Sequence, residues 1–170
     1  IENGESYPQL WLDRAAAFRA QIEGRLSEVT YGAAAREKMD IFRPESDSKG
    51  LLVFVHGGYW RAFSKDHWSH LAAGALARGW TVVMPGYTLA PESTLPGITG
   101  QISRAITQAA GLVDGPIHLA GHSAGGHLAT RMVSDDSTLP APIAERIARV
   151  NEALTIARLS HKPSAPAASL

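Results

Sequence analysis

The chain has 170 residues, 45% of them hydrophobic, and its 16 Lys plus Arg balance 16 Asp plus Glu. That length supports one domain with a real core rather than two, and the absence of a charge excess argues against nucleic acid or an anionic membrane surface as a partner. With no cysteine, disulfides, Cys-ligated zinc and a thiol nucleophile are excluded.

Leu10, Trp11, Ala15, Phe18 and Ile22 recur at helical spacing and predict a first amphipathic helix, closed near Gly24. Glu28 to Tyr31 and Glu37 to Phe42 read as two short strands forming a hairpin, and Pro44 to Gly50 as a turn. Leu51 to Val55 is a continuous apolar run, the pattern of a strand covered on both faces. Trp68, Leu71, Ala72, Ala75 and Leu76 mark a second helix, with Asp66 as its N-cap and Gly79 as its C-cap. Trp80 to Met84 is a further strand, Ile98 to Ala109 a third helix with Pro96 near its start, and Ile117 to Ala120 another strand. Strands alternating with helices predict a parallel α/β sheet. No apolar run approaches the roughly 20 residues of a membrane span and no leader pattern opens the chain, so a soluble, cytoplasmic protein without a membrane partner is expected. Because the first residue is Ile1 rather than Met, the start of the protein is expected upstream.

Open parallel sheets bind ligands beyond the carboxyl ends of their strands. After the strand at Ile117 stands Gly121-His122-Ser123-Ala124-Gly125, and Gly126 opens a helical stretch. Strand, tight turn and helix around G-x-S-x-G make a nucleophile elbow, in which a strained serine leaves no room for side chains two residues away on either side. After Leu51 to Val55 stands His56-Gly57-Gly58-Tyr59-Trp60. Two glycines let the backbone turn with free amides pointing into a cleft, as an oxyanion hole requires. Gly58 and Tyr59 are the candidate donors there, joined by the N–H of Ala124. His56 is expected to brace the loop, and Tyr59 and Trp60 are candidates to wall a substrate pocket, with packing as the other role for Trp60.

The pairing of these two motifs resembles α/β-hydrolases of the esterase and lipase group. The tryptophan two places after the glycine pair is similar to the H-G-G-x-W signature of kynurenine formamidases, and Tyr87 to Glu92 resembles the Y-x-L-A-P-E of hormone-sensitive-lipase-like esterases. The resemblance spans roughly Tyr31 to Val133. It implies an α/β-hydrolase fold, a mostly parallel sheet with helices on both faces, here incomplete on the C-terminal side. It also implies a serine hydrolase acting on a carboxylic ester or an aryl formamide such as N-formylkynurenine, through an acyl-enzyme on Ser123 and without a cofactor.

In such a family the triad acid and histidine follow later strands. The tail of this chain offers His161 as catalytic base and no clear acid. Residues 1–150 are read as the hydrolase domain and 151–170 as an atypical helix and tail, with a break from the family pattern after Val150 through truncation, frameshift or deletion. A sheet stopping there would expose an edge that invites another chain, a homo-oligomer among the outcomes. A degenerate, non-catalytic hydrolase-like domain is the competing reading. Asp135 and Asp136 are read as a solvated loop, His122 and His127 as structural, and Glu92 as fixing its loop. His67 and His70 lack a third ligand, so no metal is expected, and no phosphate-binding glycine fingerprint is present.

Overall fold

A computed structural model describes residues 4–147 of the chain. The apolar run Leu51–Val55 forms strand β3, and its alternating side chains serve two cores. Around it lie β1 (Leu26–Thr30), β2 (Lys38–Phe42), β4 (Thr81–Pro85) and β5 (Ile117–Gly121), in the spatial order β1-β2-β4-β3-β5. β1 and β2 pair as the expected hairpin, Leu26 opposite Phe42 and Thr30 opposite Lys38. β2 runs antiparallel to β4, while β3 pairs in parallel with both β4 and β5. Among the described residues, the far edge of β5 pairs with no further strand.

Helices cover both faces, as a strand that is apolar on both sides demands. Leu51, Val53 and Val55 point to the core beneath α3 (Leu95–Ala110) and α4 (Ala124–Arg131), where Ile98, Ile102, Ile106, Leu128 and Met132 are buried. Leu52 and Phe54 point the other way, toward Trp68, Ala72 and the Trp11–Phe18–Ile22 face of α1 (Tyr7–Gln21). α3 begins with Pro96 in its first turn and Thr94 as N-cap, whose hydroxyl accepts the Gly97 N–H at 3.3 Å.

One expected helix is different. The segment from Asp66 to Gly79 is two 3-10 turns, Lys65–His67 and Ser69–Ala72, followed by a single α-helical turn, α2 (Ala73–Leu76). Its conformation follows an ion network invisible to apolar periodicity. Asp40 on β2, 1% exposed, accepts from Lys65 Nζ at 2.9 Å and pairs with Arg19 of α1; Glu28 on β1 also takes Lys65 Nζ at 2.9 Å. Seating Lys65 on the sheet while Trp68 packs against Trp11 and Phe54 tightens the chain into 3-10 geometry. Asp66 is therefore not a cap but a further partner of Lys65 and Arg19, both at 3.1 Å. Ser64 takes the N-cap position, its N–H donating to His67 Nδ1 at 3.3 Å.

Residues 141–147 are helical, in keeping with the apolar spacing of Ile143 and Ile147. The boundary expected at Val150 and the segment 151–170 lie outside the described residues. No helix among the described residues is long and apolar enough to cross a membrane.

Candidate active site

The carboxyl ends of β3, β4 and β5 converge on one edge of the sheet. β5 ends at Gly121, and Ser123 turns the chain into α4 with φ 52° and ψ −116°, a conformation that L-residues rarely hold. Close packing enforces it. A Cβ on Gly121 would overlap the Gly125 carbonyl, and one on Gly125 would overlap the carbonyls of Val55 and His56. His122 N–H donates to Val55 O at 3.1 Å and Gly125 N–H to His122 O at 2.9 Å, so the turn is fastened to the end of β3.

β3 itself runs into His56 and the glycine pair. Gly58, Tyr59 and Trp60 take positive φ in succession (118°, 56° and 59°), as does Phe63 (68°). The Arg61 and Ala62 N–H groups both donate to Gly58 O at 2.9 Å, which closes the turn. This loop lies directly against the elbow: a Cβ on Gly57 would stand 2.6 Å from His122 O, 2.7 Å from His122 Nδ1 and 3.3 Å from Ser123 Cβ. Among the described residues the N–H groups of Gly58, Tyr59 and Ala124 donate to no acceptor. They remain available to an oxygen placed between the two loops.

His56 is 1% exposed at the start of the loop. Its Nδ1 lies 2.7 Å from Gly57 O, which makes Nδ1 the protonated nitrogen because a carbonyl can only accept. Its ring stacks on Tyr87 at 4.2 Å and 10°, and the Tyr87 hydroxyl donates to His56 O at 3.0 Å. Burial pushes the imidazole down to about 4, against the pull of the Gly57 carbonyl and with help from the Arg36 guanidinium, so the ring is neutral at physiological pH. Ala90 N–H donates to Trp60 O at 2.8 Å, tying the loop after β4 to the loop after β3.

The other sequence candidates are spread around this centre. Tyr59 is 79% exposed, whereas Trp60 packs against the core with its ring edge-on to His127 at 5.4 Å. Among the described residues the buried Trp60 indole Nε1 has no hydrogen-bond partner. His122 packs on Trp68 at 5.2 Å, so neither flanking histidine reaches the Ser123 hydroxyl, which has no hydrogen-bond partner among the described residues. His161 lies outside the described residues. Asp136 is exposed and paired with Arg131 at 2.9 Å. Glu92 is exposed and makes no hydrogen bond or ion pair among the described residues; there the loop is held by Tyr87 and by Gln101, whose Oε1 accepts the Thr88 N–H at 2.7 Å. Tyr87 stood in plain view directly after an apolar strand, but Gln101 and Arg36 carry no local signal. Among the described residues no group of three or more His, Asp or Glu is placed to hold a metal ion.

A family model described as the alpha/beta hydrolase fold matches residues 52–145, more than half of the chain and both loops. The chain belongs to the α/β-hydrolase family. It is 38% identical to the kynurenine formamidase of Danio rerio over 118 residues, which is 66% of this chain and 40% of that protein. To the kynurenine formamidase of Salmo salar it is 34% identical over 116 residues, 65% of this chain and 39% of that one. A crystal structure from Silicibacter sp. TM1040, of a protein named provisionally as a thioesterase, superposes with a TM-score of 0.84 at 51% identity and covers 86% of this chain and 56% of that one. Esterase LipW from Mycobacterium marinum shares the fold, with a TM-score of 0.66 at 24% identity over 80% of this chain and 47% of that one. The chain thus spans about 40% of the length of the formamidases it matches.

Proposed function

We propose that this α/β-hydrolase chain carries the nucleophile and oxyanion half of a serine hydrolase site that cleaves a carboxylic ester or an aryl formamide. The observation that carries the reading is the contact between the two loops, with the Cβ position of Gly57 3.3 Å from Ser123 Cβ. It supports a substrate carbonyl held with its carbon at Ser123 Oγ and its oxygen at the N–H groups of Gly58, Tyr59 and Ala124. Attack forms the Oγ–C bond while the carbonyl π pair moves to oxygen, where these amides stabilise the charge. The serine proton passes to a histidine base and from there to the departing alcohol or amine as its bond to the acyl carbon breaks. Water then releases the acyl group from Ser123 by the same route in reverse. In this reading the base comes from outside the described residues, His161 being the histidine of this chain available there.

Similarity to the formamidases favours formyl as the acyl group and an arylamine as leaving group, and the thioesterase-named relative adds acyl thioesters to the panel. A fluorophosphonate probe should label Ser123 in the full chain and leave Ser123→Ala unlabelled. Rates on N-formylkynurenine, a nitrophenyl ester and an acyl thioester then rank the substrate classes. Folded protein that neither labels nor turns over any of the three would sink the reading and leave a non-catalytic hydrolase-like domain.

A further inference from the structure

The loop that offers the Gly58 and Tyr59 amides is held in a conformation its residues do not favour. Tyr59, Trp60 and Phe63 all sit at positive φ, and none is glycine. Such a loop keeps its shape only where its surroundings over-determine it. Its amino end is held by Tyr87 on His56 O and its middle by Ala90 on Trp60 O. Its carboxyl end is held by one side chain from a distant loop: Arg36 Nη2 donates to Phe63 O at 2.5 Å, while Nε of the same guanidinium donates to Tyr87 O at 2.8 Å. One planar cation thereby bridges the backbones that follow β3 and β4.

We propose that Arg36 is a positioning residue for the oxyanion loop, spanning Phe63 O and Tyr87 O so that the Gly58 and Tyr59 amides stay aimed at the carbonyl over Ser123. The assignment rests on the serine hydrolase reading for its chemical consequence but not for its geometry. Arg36 touches no reacting atom; it acts by fixing two carbonyls in one plane. Lysine cannot imitate this, because its ammonium is a point donor without the fork that reaches two acceptors in a set geometry.

The test uses the full chain with Arg36→Met, Arg36→Lys and a control, Arg146→Met. Arg146 holds the carbonyls of Gly115, Ala110 and Val113 at 2.6–2.7 Å at the opposite end of the sheet, so its loss perturbs stability away from the site. Two quantities are read well below the melting temperature: hydrogen exchange of the amides of residues 57–63, and the second-order rate of fluorophosphonate labelling at Ser123. Arg36→Met should raise exchange in that loop about tenfold or more and slow labelling roughly ten- to a hundredfold, the scale of an ångström-sized misplacement. Arg36→Lys should fall between Met and wild type, and Arg146→Met should label at the wild-type rate whatever its melting temperature. If Arg36→Met does not fold, Arg36→Lys alone decides by the same two readings. Wild-type exchange and wild-type labelling in the Arg36 variants would overturn the proposal, as would equal slowing in Arg146→Met. If the wild-type chain neither labels nor turns over any of the three substrates, the hydrolase reading falls, and loop exchange by itself decides the role of Arg36.

Discussion

Gly57→Ala tests whether the glycine loop and the elbow must touch. The added methyl carbon would lie 2.6 Å from His122 O and 2.7 Å from His122 Nδ1. A close C···O contact is about 3.3 Å, so the His122 peptide would have to retreat by roughly half an ångström or more. It is not free to do so. His122 N–H is tied to Val55 O at 3.1 Å, its carbonyl accepts from Gly125 N–H at 2.9 Å, and its ring packs on Trp68. The displacement must therefore be shared between the loop and the elbow, widening the gap between the Gly58 amide and Ser123. Overpacking of this kind costs about 1–3 kcal/mol, which at about 2–4 °C per kcal/mol lowers the melting temperature by several degrees. The rate of Ser123 labelling should fall about ten- to a hundredfold. Calorimetry and probe kinetics on the same preparation check both. Gly57→Ala protein that melts and labels like wild type would refute the claim that contact with His122 excludes a side chain here.

Acid should weaken the fold in two separable windows. His56, with its folded pKa of about 4 below the ordinary 6.5, contributes stability that is complete above pH 6.5 and lost as pH falls toward 4, by up to about 1.4 kcal/mol per unit. Burial raises the Glu37 carboxyl, but the Ala34 amide and Arg104 outweigh it and leave it below its ordinary 4.5, so its contribution disappears only below that pH. Urea titrations across both windows should show the upper decline vanish in His56→Gln and the lower one shrink in Glu37→Gln. Asp40→Ala removes the buried partner of Lys65, whose side chain is 8% exposed, and leaves it the half-exposed Glu28 and Asp66, so it should cost about 1.5–3 kcal/mol by urea unfolding; adding Lys65→Met should recover part of it, and a single variant indistinguishable from wild type would contradict the network. Tyr87→Phe keeps the stack on His56 but deprives the His56 carbonyl of its donor. It should lower stability by about 1–3 kcal/mol, whereas an unchanged midpoint would mean that the hydroxyl bond contributes nothing.

What could be read from residues alone was what repeats or what sterics impose. The apolar runs at Leu51 and Trp80 placed β3 and β4 to within a residue, because a strand buried on both faces tolerates no polar interruption. Gly121, Gly125 and the glycine pair after His56 were readable because carbonyls occupy the space where their Cβ atoms would be. The 3-10 segment at Lys65 was misread, since periodicity registers apolar spacing and not a buried ammonium that draws the chain onto Asp40. Arg36 was silent for a related reason. Its acceptors are the main-chain carbonyls of Phe63 and Tyr87, and a backbone acceptor has no residue type to leave in a sequence.

Strain and rigidity meet at one residue. Among the described residues, positive φ outside glycine occurs at Tyr59, Trp60, Phe63 and Ser123, all in the two facing loops. At about 1–3 kcal/mol each, such conformations persist only on a support that cannot yield. Val55 is that support. It is fully buried at the end of β3, where it pairs with Gly121 of β5, while β4 holds the same strand as far as Val53. Its carbonyl accepts His122 N–H from the elbow and forbids a side chain at Gly125, while its own chain continues into His56 and the glycine loop. The nucleophile and the amides facing it are therefore referenced to the same backbone atoms, and an error in one is not independent of an error in the other. This is why a methyl group at Gly57 or the loss of the Arg36 bridge is expected to register at Ser123, which neither residue touches with a polar atom.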